Sequence, residues 1–552
     1  MANSETVRVT FLGGLGEIGR NCLALQYRGR LVVVDAGLMF PEPDMYGVDL
    51  ILPDFRWLIE RRDRVDAIVL THGHEDHTGS LRYLLQDVNV PVYGSALTLG
   101  FARHRLTEAR VSGVEFIEVE DYERRRIGPF DVEFLPVTHS VPSAHCLVFH
   151  TDLGAIVHSG DFKLDQSPID GRRTDLARLG ELGTEGVALL LADSTNAEEP
   201  GFTPSESSVG VALRRVFLER PDRRLVVACF ASHVHRIQQI ANVAVAQGRK
   251  IALMGRSMEA NVKLARKLGL LTIDAGDLID IENVSRYRPG EVCVICTGAQ
   301  GEPLAALSKM ARGDHKNFEV GESDTVVLSS HPIPGNEWSV GRVIDDLHRA
   351  GTEVIDSSRE PVHASGHARQ GELRTFHQLL RPKNFVPVHG EYRHMVHHAR
   401  LAESMGLESS HVIVCEDGDQ IELSASGIRR CGQVPAGFHY IDGTSGDLDE
   451  RPLEERRMLA EYGAVLISAG VHAERGEITQ AVRVSTRGWF EGDDDQVVTH
   501  IVETVREALA DALDEGIRDD VALSKVAQRA AGRLLGQRYR RQPVLLVSVA
   551  VI

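Results

Sequence analysis

The sequence predicts an α/β protein of several domains, in which an α/β unit interrupts a β-rich first domain and a small α/β domain follows. Three observations lead to this fold class. The 552 residues exceed one hydrophobic core, because domains usually hold ~100–200 residues. Short strands closed by turns fill the chain up to Pro200, and strands then alternate with helices. A histidine-rich character returns from about Glu360, which indicates that the alternating unit is an insertion.

Hydrophobic runs separated by turn formers predict the strands of the first domain. They are Val7–Leu12, Cys22–Tyr27, Leu31–Asp35, Val65–Leu70, Phe130–Val137, Cys146–His150 and Ala155–His158, and a helix begins at Leu81–Leu85. In the inserted unit the predicted strands are Leu225–Cys229, Ile251–Met254, Val292–Cys296 and Val326–Ser329, with helices near Arg236–Ala246 and Glu259–Leu268. This alternation is typical of a parallel sheet with helices on its faces.

The C-terminal part of the chain predicts a separate small domain. Residues 436–456 are rich in turn formers and predict a linker. After it we expect a strand at Ala464–Ser468, an amphipathic helix at Ile501–Leu513 and a last strand at Pro543–Ile552. The sequence shows neither a fixed-period repeat nor a low-complexity tract.

Composition and charge indicate the cellular compartment but do not identify the substrate. No apolar run approaches the ~18 residues of a spanning helix, and the first residues lack a signal-peptide pattern, so we expect no membrane attachment. Seven scattered cysteines favour a reducing, cytoplasmic location. The net charge of −18 argues against a simple nucleic-acid binder, although a local groove with metals and arginines can still bind RNA.

Two patterns suggest cofactor or redox sites that their context does not support. Gly14-Leu15-Gly16-Glu17-Ile18-Gly19, with Asp35 downstream, fits a dinucleotide-binding loop, but such a loop must open a helix. Here the hairpin of Cys22–Tyr27 with Leu31–Val34 leaves no room for one. Cys293 and Cys296 lie three apart in a predicted strand, so their side chains point to opposite faces.

The stretch from Thr71 to Gly79 predicts a metal site. It contains the four potential ligands His72, His74, Asp76 and His77 directly after the strand Val65–Leu70. Imidazole and carboxylate groups suit zinc, and a loop at a strand end can bring them to one point.

This H-x-H-x-D-H stretch resembles the signature of the metallo-β-lactamase fold, an αββα sandwich. Further matches are His139 in Val137-Thr138-His139-Ser140, Asp161 in Ser159-Gly160-Asp161-Phe162 and His389 in Pro387-Val388-His389-Gly390-Glu391. The insertion resembles the β-CASP subgroup through Asp193-Ser194-Thr195-Asn196 and His363-Ala364-Ser365-Gly366-His367-Ala368. Within that subgroup the chain is similar to the bacterial ribonuclease J family from about residue 7 to its end.

The resemblance implies a domain order, and we expect the following boundaries. The metallo-β-lactamase domain comprises 1–198 and 355–435, the inserted β-CASP α/β domain 199–354, the linker 436–456 and a C-terminal association domain 457–552. The C-terminal domain is small and α/β, and it implies a homodimer or homotetramer.

The resemblance also implies two Zn²⁺ ions per subunit, with Mn²⁺ or Mg²⁺ as other ions that support activity. His72, His74 and His139 would hold one ion, Asp76, His77 and His389 the other, and Asp161 would bridge them. His367, oriented by Asp193, is the implied general acid for the leaving 3′ oxygen. Simple phosphate binding by His367, without proton transfer, remains an alternative.

The implied activity is the hydrolysis of RNA phosphodiester bonds, both 5′-to-3′ exonucleolytic and endonucleolytic, in RNA decay and in the maturation of mRNA and rRNA. The preferred substrate is 5′-monophosphorylated RNA, and partners in an RNA-decay complex are a further expectation. The implied contacts with substrate are Ser232, His233, Val234 and His235, together with His363, Ala364, Ser365, Gly366 and His367. For Ser232 and His235, capping of the following helix is an alternative role.

Two further points follow from the resemblance. An oxygen-rich structural calcium site would lie at Gly47, Asp49 and Asp442, although a solvated acidic loop is an alternative. The family usually carries Asp where this chain has Ser143, which leaves the orientation of His139 open.

Three other functions are consistent with parts of the pattern. A dinuclear hydrolase of thiolesters or lactams would need no phosphate cradle of the H-x-S-G-H-A kind. A regulatory RNA-binding protein would have lost a ligand, whereas all seven positions are filled. A DNA nuclease of this fold would carry an apolar residue in place of His389.

Overall fold

The computed structural model describes residues 6–302, 304–316, 318–333, 336–443, 446–448, 450–472, 474–489, 495–540 and 542–552. The chain forms two compact units. The first comprises the residues up to Phe40 and Leu50–His439, and the second comprises Pro41–Asp49 and Tyr440–Ile552.

The N-terminal part of the first unit is rich in strands. The strands are β1 Val7–Gly13, β2 Leu15–Gly16, β3 Cys22–Tyr27, β4 Arg30–Val34, β5 Leu50–Pro53, β6 Val65–Val69, β7 Val92–Gly94, β8 Phe116–Glu118, β9 Arg124–Ile127, β10 Phe130–Pro136, β11 His145–Thr151, β12 Gly154–His158 and β13 Val187–Asp193. The helices are α1 Arg56–Ile59, α2 Glu75–Thr78, α3 Leu81–Asp87, α4 Ala96–Glu108 and α5 Leu176–Glu185.

An alternating segment follows, and the chain then returns to the first sheets. The alternating segment contains α6 Glu206–Leu218, β14 Arg224–Ala228, α7 Val234–Ala246, β15 Lys250–Met254, α8 Arg256–Lys267, β16 Leu278–Ile279, β17 Val292–Cys296, α9 Ala306–Ala311, β18 Asp324–Leu328, α10 Glu337–Arg349 and β19 Glu353–Ile355. The return segment contains α11 Gln370–Leu380, β20 Phe385–Val388, β21 Gly390–Glu391, α12 Tyr392–Ser404, β22 Asp419–Ser424 and β23 Gly427–Gln433.

Two sheets face each other and form a sandwich. Their strand orders are β23-β22-β1-β3-β4-β6-β7-β8 and β20-β13-β12-β11-β10-β9. Alternate residues of both sheets, such as Val9 and Phe11 from one and Phe134 and Phe149 from the other, share a buried core. Helices α3 and α4 cover the outer face of the first sheet, and α5 and α11 cover that of the second. The predicted αββα sandwich is therefore confirmed.

The alternating segment forms one parallel sheet in the order β16-β15-β17-β14-β18-β19. Helices α6, α7 and α8 pack on one face, and α9 and α10 pack on the other. Cys293 belongs to the first face and Cys296 to the second, as the strand periodicity predicts. Strands β13 and β20 flank this segment in sequence but pair with each other in the second sheet, which confirms an insertion.

The orientation of the crossovers in the inserted sheet marks a crevice. Neighbouring strands β14 and β17 continue into α7 and α9, which lie on opposite faces. In open α/β sheets, ligands bind outside the carboxyl ends of the strands at such a point. The loop after β14, with Ser232 and His233, and the start of α7, with Val234 and His235, lie at this edge.

The second unit contains β25 Gly446–Leu448, α13 Glu450–Tyr462, β26 Ala464–His472, β27 Glu477–Arg487, α14 Asp495–Asp514, α15 Asp520–Leu534 and β28 Val544–Val551, and most of the strand β24 Phe438–Asp442. The strands β27-β26-β28 form a sheet, and one of its faces packs on α14 and α15 through residues such as Ile467, Ile501 and Leu509. The small α/β domain is confirmed.

The segment 436–456, predicted as a linker, contains regular structure in its described residues, and the boundary between the two units falls within it. Tyr440 pairs with Leu448 and Asp442 with Gly446, so β24 and β25 form an antiparallel pair. Helix α13 begins at Glu450, inside the range predicted as a linker. In the part of the chain that the structure describes, no helix combines the length and the hydropathy needed to cross a bilayer.

Candidate metal centre

The seven predicted ligands converge at one edge of the sandwich because each follows the end of a strand. His72 and His74 lie in the loop after β6, and the short helix α2 carries Asp76 and His77. His139, Asp161 and His389 follow β10, β12 and β20. Residues far apart in the sequence are thereby brought to one place.

One group of ligand atoms comes from three imidazoles and one carboxylate. His74 Nδ1 lies 3.0 Å from His72 Nε2 and 3.1 Å from His139 Nε2. Asp161 Oδ2 lies 3.5 Å from His72 Nε2 and 3.6 Å from His139 Nε2. Four buried or nearly buried ligand atoms thus surround one point.

A second group shares the same aspartate. Asp161 Oδ1 lies 3.3 Å from His77 Nε2 and 3.6 Å from His389 Nε2. Asp76 Oδ2 lies 3.5 Å from His77 Nε2 and 3.3 Å from His389 Nε2. The two oxygens of one carboxylate therefore belong to two different groups.

These spacings fit metal ions better than hydrogen bonds. With Zn–N distances of 2.0–2.1 Å, the edges of a tetrahedral site are ~3.3–3.4 Å long. The observed separations lie between 3.0 and 3.6 Å. Asp161 Oδ1 is buried and accepts no hydrogen bond from the described residues, which would be costly unless a cation were bound. The donor set of imidazoles and carboxylates also suits zinc.

The second nitrogen of most ligand imidazoles is held by a neighbouring polar group. Nδ1 of His77 lies 2.8 Å from Asp35 Oδ2, and Nδ1 of His139 lies 2.9 Å from the carbonyl oxygen of Gly366. Nδ1 of His389 lies 2.6 Å from Thr195 Oγ1. Such contacts fix the ring orientation and the tautomer, so that Nε2 faces the metal site.

His367 lies beside the two groups and is paired with Asp193. His367 Nδ1 lies 2.8 Å from Asp193 Oδ2, and the His367 ring lies 5.2 Å from the His139 ring and 5.4 Å from the His389 ring. Burial alone would raise the pKa of Asp193, but the charge of His367 and its hydrogen bond hold that pKa well below the usual range. Burial lowers the pKa of His367, yet the Asp193 carboxylate outweighs it and the pKa lies above its ordinary value.

Asp35, Thr195 and the carbonyl of Gly366 have roles that we did not predict. The spacing from the glycine loop made Asp35 a candidate for ribose binding, whereas the structure places it behind His77. It also accepts hydrogen bonds from the backbone N–H and the hydroxyl of Thr71, each at 2.8 Å. The one available signal was its position, a carboxylate directly after the buried strand β4.

The predicted substrate-binding residues differ in which of their atoms can contact a ligand. His233 Nε2 and His363 Nδ1 are buried without a hydrogen bond to a described residue, although His233 Nε2 lies 3.5 Å from Glu206 Oε1. Burial lowers the pKa of His233 to about 4 and holds that of His363 well below its usual range, so both rings are neutral. Val234 and Ala364 pack in the hydrophobic core, so only their backbone atoms can contact a ligand.

Ser365 and the segment that begins with Ser232 have different surroundings. Ser365 Oγ accepts hydrogen bonds from Asn196 Nδ2 at 2.9 Å and from the His367 N–H at 3.2 Å. The first residue before α7 is His233, and its side chain makes no capping hydrogen bond. Helix capping by Ser232 or His235 is therefore wrong, and His235 Nε2 instead lies 3.4 Å from Asp170 Oδ2.

At position 143 this chain has Ser where the family usually carries Asp, and the difference matters for the backbone conformation. Ser143 has a φ of 59°, in the left-handed region that Asp and Asn adopt more readily than Ser. The orientation of His139 does not depend on this side chain, because the carbonyl of Gly366 holds its Nδ1.

Asp49 and Asp442 of the predicted calcium site make hydrogen bonds with other residues of the second unit. The Arg456 guanidinium donates to Asp442 Oδ2 at 2.7 Å and to the Tyr46 carbonyl at 3.0 Å, beside Gly47. Asp49 Oδ2 accepts the backbone N–H of Gly443 at 2.7 Å. The Arg456 guanidinium is therefore a direct neighbour of Asp442, and the calcium site stays a prediction.

Four family models together match most of the chain. The metallo-beta-lactamase superfamily matches residues 15–221, the ribonuclease J beta-CASP domain 222–347, the Zn-dependent metallo-hydrolase RNA specificity domain 355–414 and the ribonuclease J C-terminal domain 452–552.

Curated relatives match over nearly the whole length. Ribonuclease J of Mycolicibacterium smegmatis is 41% identical over 99% of this chain and 97% of its own, and ribonuclease J of Mycobacterium tuberculosis is 42% identical over the same shares. Ribonuclease J2 of Bacillus subtilis is 37% identical over 99% of this chain and 98% of its own. A solved structure of a protein of unknown function from Enterococcus faecalis V583 shares the fold, with a TM-score of 0.55 and 19% identity, over 76% of this chain and 100% of its own.

These matches decide among the functions that the sequence left open. They favour a nuclease that acts on RNA over a small-molecule hydrolase, a regulatory RNA-binding protein or a DNA nuclease. The histidine and aspartate groups supply the means to hold divalent metal ions. The chain belongs to the ribonuclease J family and is a metal-dependent ribonuclease of RNA processing.

Proposed function

We propose that the seven side chains hold two zinc ions, with His72, His74 and His139 on one, Asp76, His77 and His389 on the other, and Asp161 between them. The observation that carries this proposal is the division of the Asp161 carboxylate between two ligand groups. When bound, such a pair of cations activates water as a nucleophile at neutral pH and stabilises the negative charge of a phosphoryl group under attack.

His367 acts as the general acid in this proposal. Hydrolysis breaks the bond between phosphorus and the 3′ oxygen, and the departing oxygen takes a proton from the imidazolium. Asp193 supports this role because its carboxylate at 2.8 Å orients the ring and favours the protonated form. The hydrogen bonds from the Thr195 N–H and hydroxyl to Asp193 Oδ1, at 2.9 and 2.8 Å, hold the carboxylate in place.

A substrate with a sulfur leaving group separates proton donation from phosphate binding. A 3′ thiolate leaves without protonation, so His367→Ala should lose ~10²–10⁴-fold in rate on normal RNA but far less on RNA with a 3′-bridging sulfur at the scissile linkage. Equal losses on both substrates would mean that His367 binds phosphate without donating a proton.

We further propose that the enzyme degrades RNA in the 5′-to-3′ direction, cuts internally as well, and prefers a 5′-monophosphate. The segments Ser232–His235 and His363–Gly366 would hold the terminal phosphate. The first lies at the crevice of the inserted sheet, and the second is joined to the metal centre by the contact of Gly366 with His139. Neutral imidazole N–H groups, hydroxyls and backbone N–H groups suit phosphate oxygens. Decay and maturation of mRNA and rRNA are the processes that need this activity.

Labelled RNA tests this proposal directly. Purified protein should release the label from 5′-labelled RNA and shorten internally labelled RNA, and a chelator should stop both reactions. The rate should be highest on 5′-monophosphate RNA, and combined Ser232→Ala and Ser365→Ala should remove that preference while sparing internal cleavage. Equal wild-type rates on 5′-monophosphate, 5′-triphosphate and 5′-hydroxyl RNA would contradict it.

We also propose that the C-terminal domain mediates self-association, as a homodimer or homotetramer. Strand β28 is at the edge of its sheet, and Leu466 and Leu546 are neighbours on the exposed face. Removal of the residues after His439 should lower the number of subunits per particle, taken as the light-scattering mass divided by the mass of the truncated chain, and an unchanged number would contradict the idea. A cytoplasmic location is consistent with the seven cysteines, all of which are free thiols.

A further inference from the structure

Arg236 is a buried arginine that joins three separate segments of the chain, at Glu206, Ser329 and Val362. It lies in the first turn of α7, directly after Ser232–His235, and its side chain is completely buried. Nη1 donates to the Ser329 carbonyl and hydroxyl, each at 2.7 Å, and to the Val362 carbonyl at 3.0 Å. Val362 immediately precedes His363, so one guanidinium connects both segments that we assign to the 5′-phosphate.

The other side of Arg236 is held by a single glutamate. Nε and Nη2 donate to the two oxygens of Glu206 at 2.6 and 2.8 Å, which is the bidentate geometry that a planar guanidinium favours. Gln239 Nε2 also donates to Glu206 Oε1, at 2.9 Å. The carboxylate is therefore fixed on both sides.

Glu206 continues the connection to the metal centre. Its backbone N–H donates to Asp165 Oδ2 at 2.9 Å, and the Asp165 N–H donates to Thr138 Oγ1 at 3.1 Å. Thr138 precedes the ligand His139, and His139 Nδ1 contacts the Gly366 carbonyl at 2.9 Å. The path from His139 through Glu206 and Arg236 to His363–Gly366 is thus a closed ring of contacts.

We infer that Arg236, held by Glu206, is a positioning residue that sets the distance between the 5′-phosphate site and the metal centre. The inference rests on the proposed preference for a 5′-monophosphate. Because these contacts form a closed ring, they hold the His363–Gly366 segment in one place relative to His139. A terminal phosphate bound there can then present one particular downstream linkage for cleavage.

Arg236→Lys is the appropriate perturbation, because it keeps the charge but cannot reach Ser329, Val362 and Glu206 together. A displacement of ~1 Å can cost ~10²-fold in rate, so we expect the ratio of kcat/KM on 5′-monophosphate over 5′-hydroxyl RNA to fall by ~10-fold or more. We also expect the first product from 5′-labelled RNA to change from one length to several. A merely structural role would lower the amount of active enzyme without changing either quantity.

Arg224→Lys is the matched control in the same inserted domain. Arg224 makes an equally bidentate pair with buried Asp324, at 2.7 and 2.9 Å, but at the amino ends of β14 and β18, opposite the crevice. This variant should keep the wild-type ratio and product length. Thermal unfolding and metal content are measured for each protein.

The outcomes separate this inference from the proposed function. A wild-type ratio of one would contradict the 5′-phosphate preference itself. A wild-type preference that persists in Arg236→Lys, or that falls equally in Arg224→Lys, would overturn the role of Arg236. If Arg236→Lys does not fold, Glu206→Gln replaces it, because it keeps the arginine and removes the charge of its carboxylate partner. An unchanged ratio there would also overturn the inference.

Discussion

Gly366→Ala should displace the predicted metal ligand His139 without replacing any ligand residue. A Cβ at position 366 would lie 2.6 Å from Cε1 and 2.7 Å from Nδ1 of His139. Non-bonded atoms prefer ~3.5–4.0 Å, so the imidazole would have to retreat by ~1 Å. The same ring is held by the carbonyl of residue 366, and both contacts therefore change together.

The magnitudes follow from this displacement. Overpacking of a buried site costs ~1–3 kcal/mol in the free energy of unfolding. A ~1 Å shift of a reacting group costs ~10²-fold in rate, and loss of the support behind a ligand costs ~10–100-fold in metal affinity. We therefore expect kcat/KM to fall by ~10²-fold and half-inactivation to occur at a lower chelator concentration.

The assay is RNA cleavage at several metal concentrations, with thermal unfolding in parallel. Gly341→Ala is the control, because a Cβ there meets no atom within 4 Å and the residue lies within α10. Alanine in that helix should stabilise the protein by ~0.5–1 kcal/mol and leave cleavage unchanged. Wild-type activity and chelator resistance in Gly366→Ala would refute the reasoning.

Three further predictions concern the metals, Asp193 and Ser143. His74→Ala and Asp161→Ala should abolish turnover and keep the circular dichroism spectrum of the wild type, and full activity in metal-depleted His74→Ala would rule out a two-metal mechanism. Asp193→Asn should lower kcat by ~10²–10⁴-fold at unchanged metal content, because His367 loses its charged partner. An unaltered kcat would show that the reaction does not need the Asp193 carboxylate. Ser143→Asn should raise the free energy of unfolding by ~0.5–1 kcal/mol and Ser143→Val should lower it, because a positive φ is tolerated by Asn and strained in a β-branched residue; calorimetry that shows the reverse order would contradict this account.

Much of the fold could be predicted because its elements are set by local patterns. The hydrophobic runs of β1, β3 and β4 predicted the hairpins that exclude a dinucleotide-binding helix after Gly14. The alternation after Pro200 predicted the parallel sheet. The strand pairing within 436–456 was not predicted, because turn formers occur in tight hairpins as often as in linkers, and pairing such as that of Tyr440 with Leu448 depends on tertiary contacts.

The site could be predicted in part for the same reason. His72, His74, Asp76 and His77 fall within one loop, so spacing alone suggests a metal. The remaining ligands needed the family resemblance, since only the sheet order brings them near. The roles of Asp35 and Arg236 were not predicted, because they depend on contacts between segments distant in the chain.

The pairing of β13 with β20 has a consequence for the order of folding. Asn384 Nδ2 donates to the Ala188 carbonyl across 196 positions, and the inserted domain occupies most of that loop. Closing a loop costs entropy that grows with its length, so β20 docks more readily once the insertion is compact. His72, His74, His139 and Asp161 all precede the insertion, whereas His389 follows it. One ligand group can therefore come together while the nascent chain is still incomplete, whereas the second is complete only after the chain beyond the insertion supplies His389.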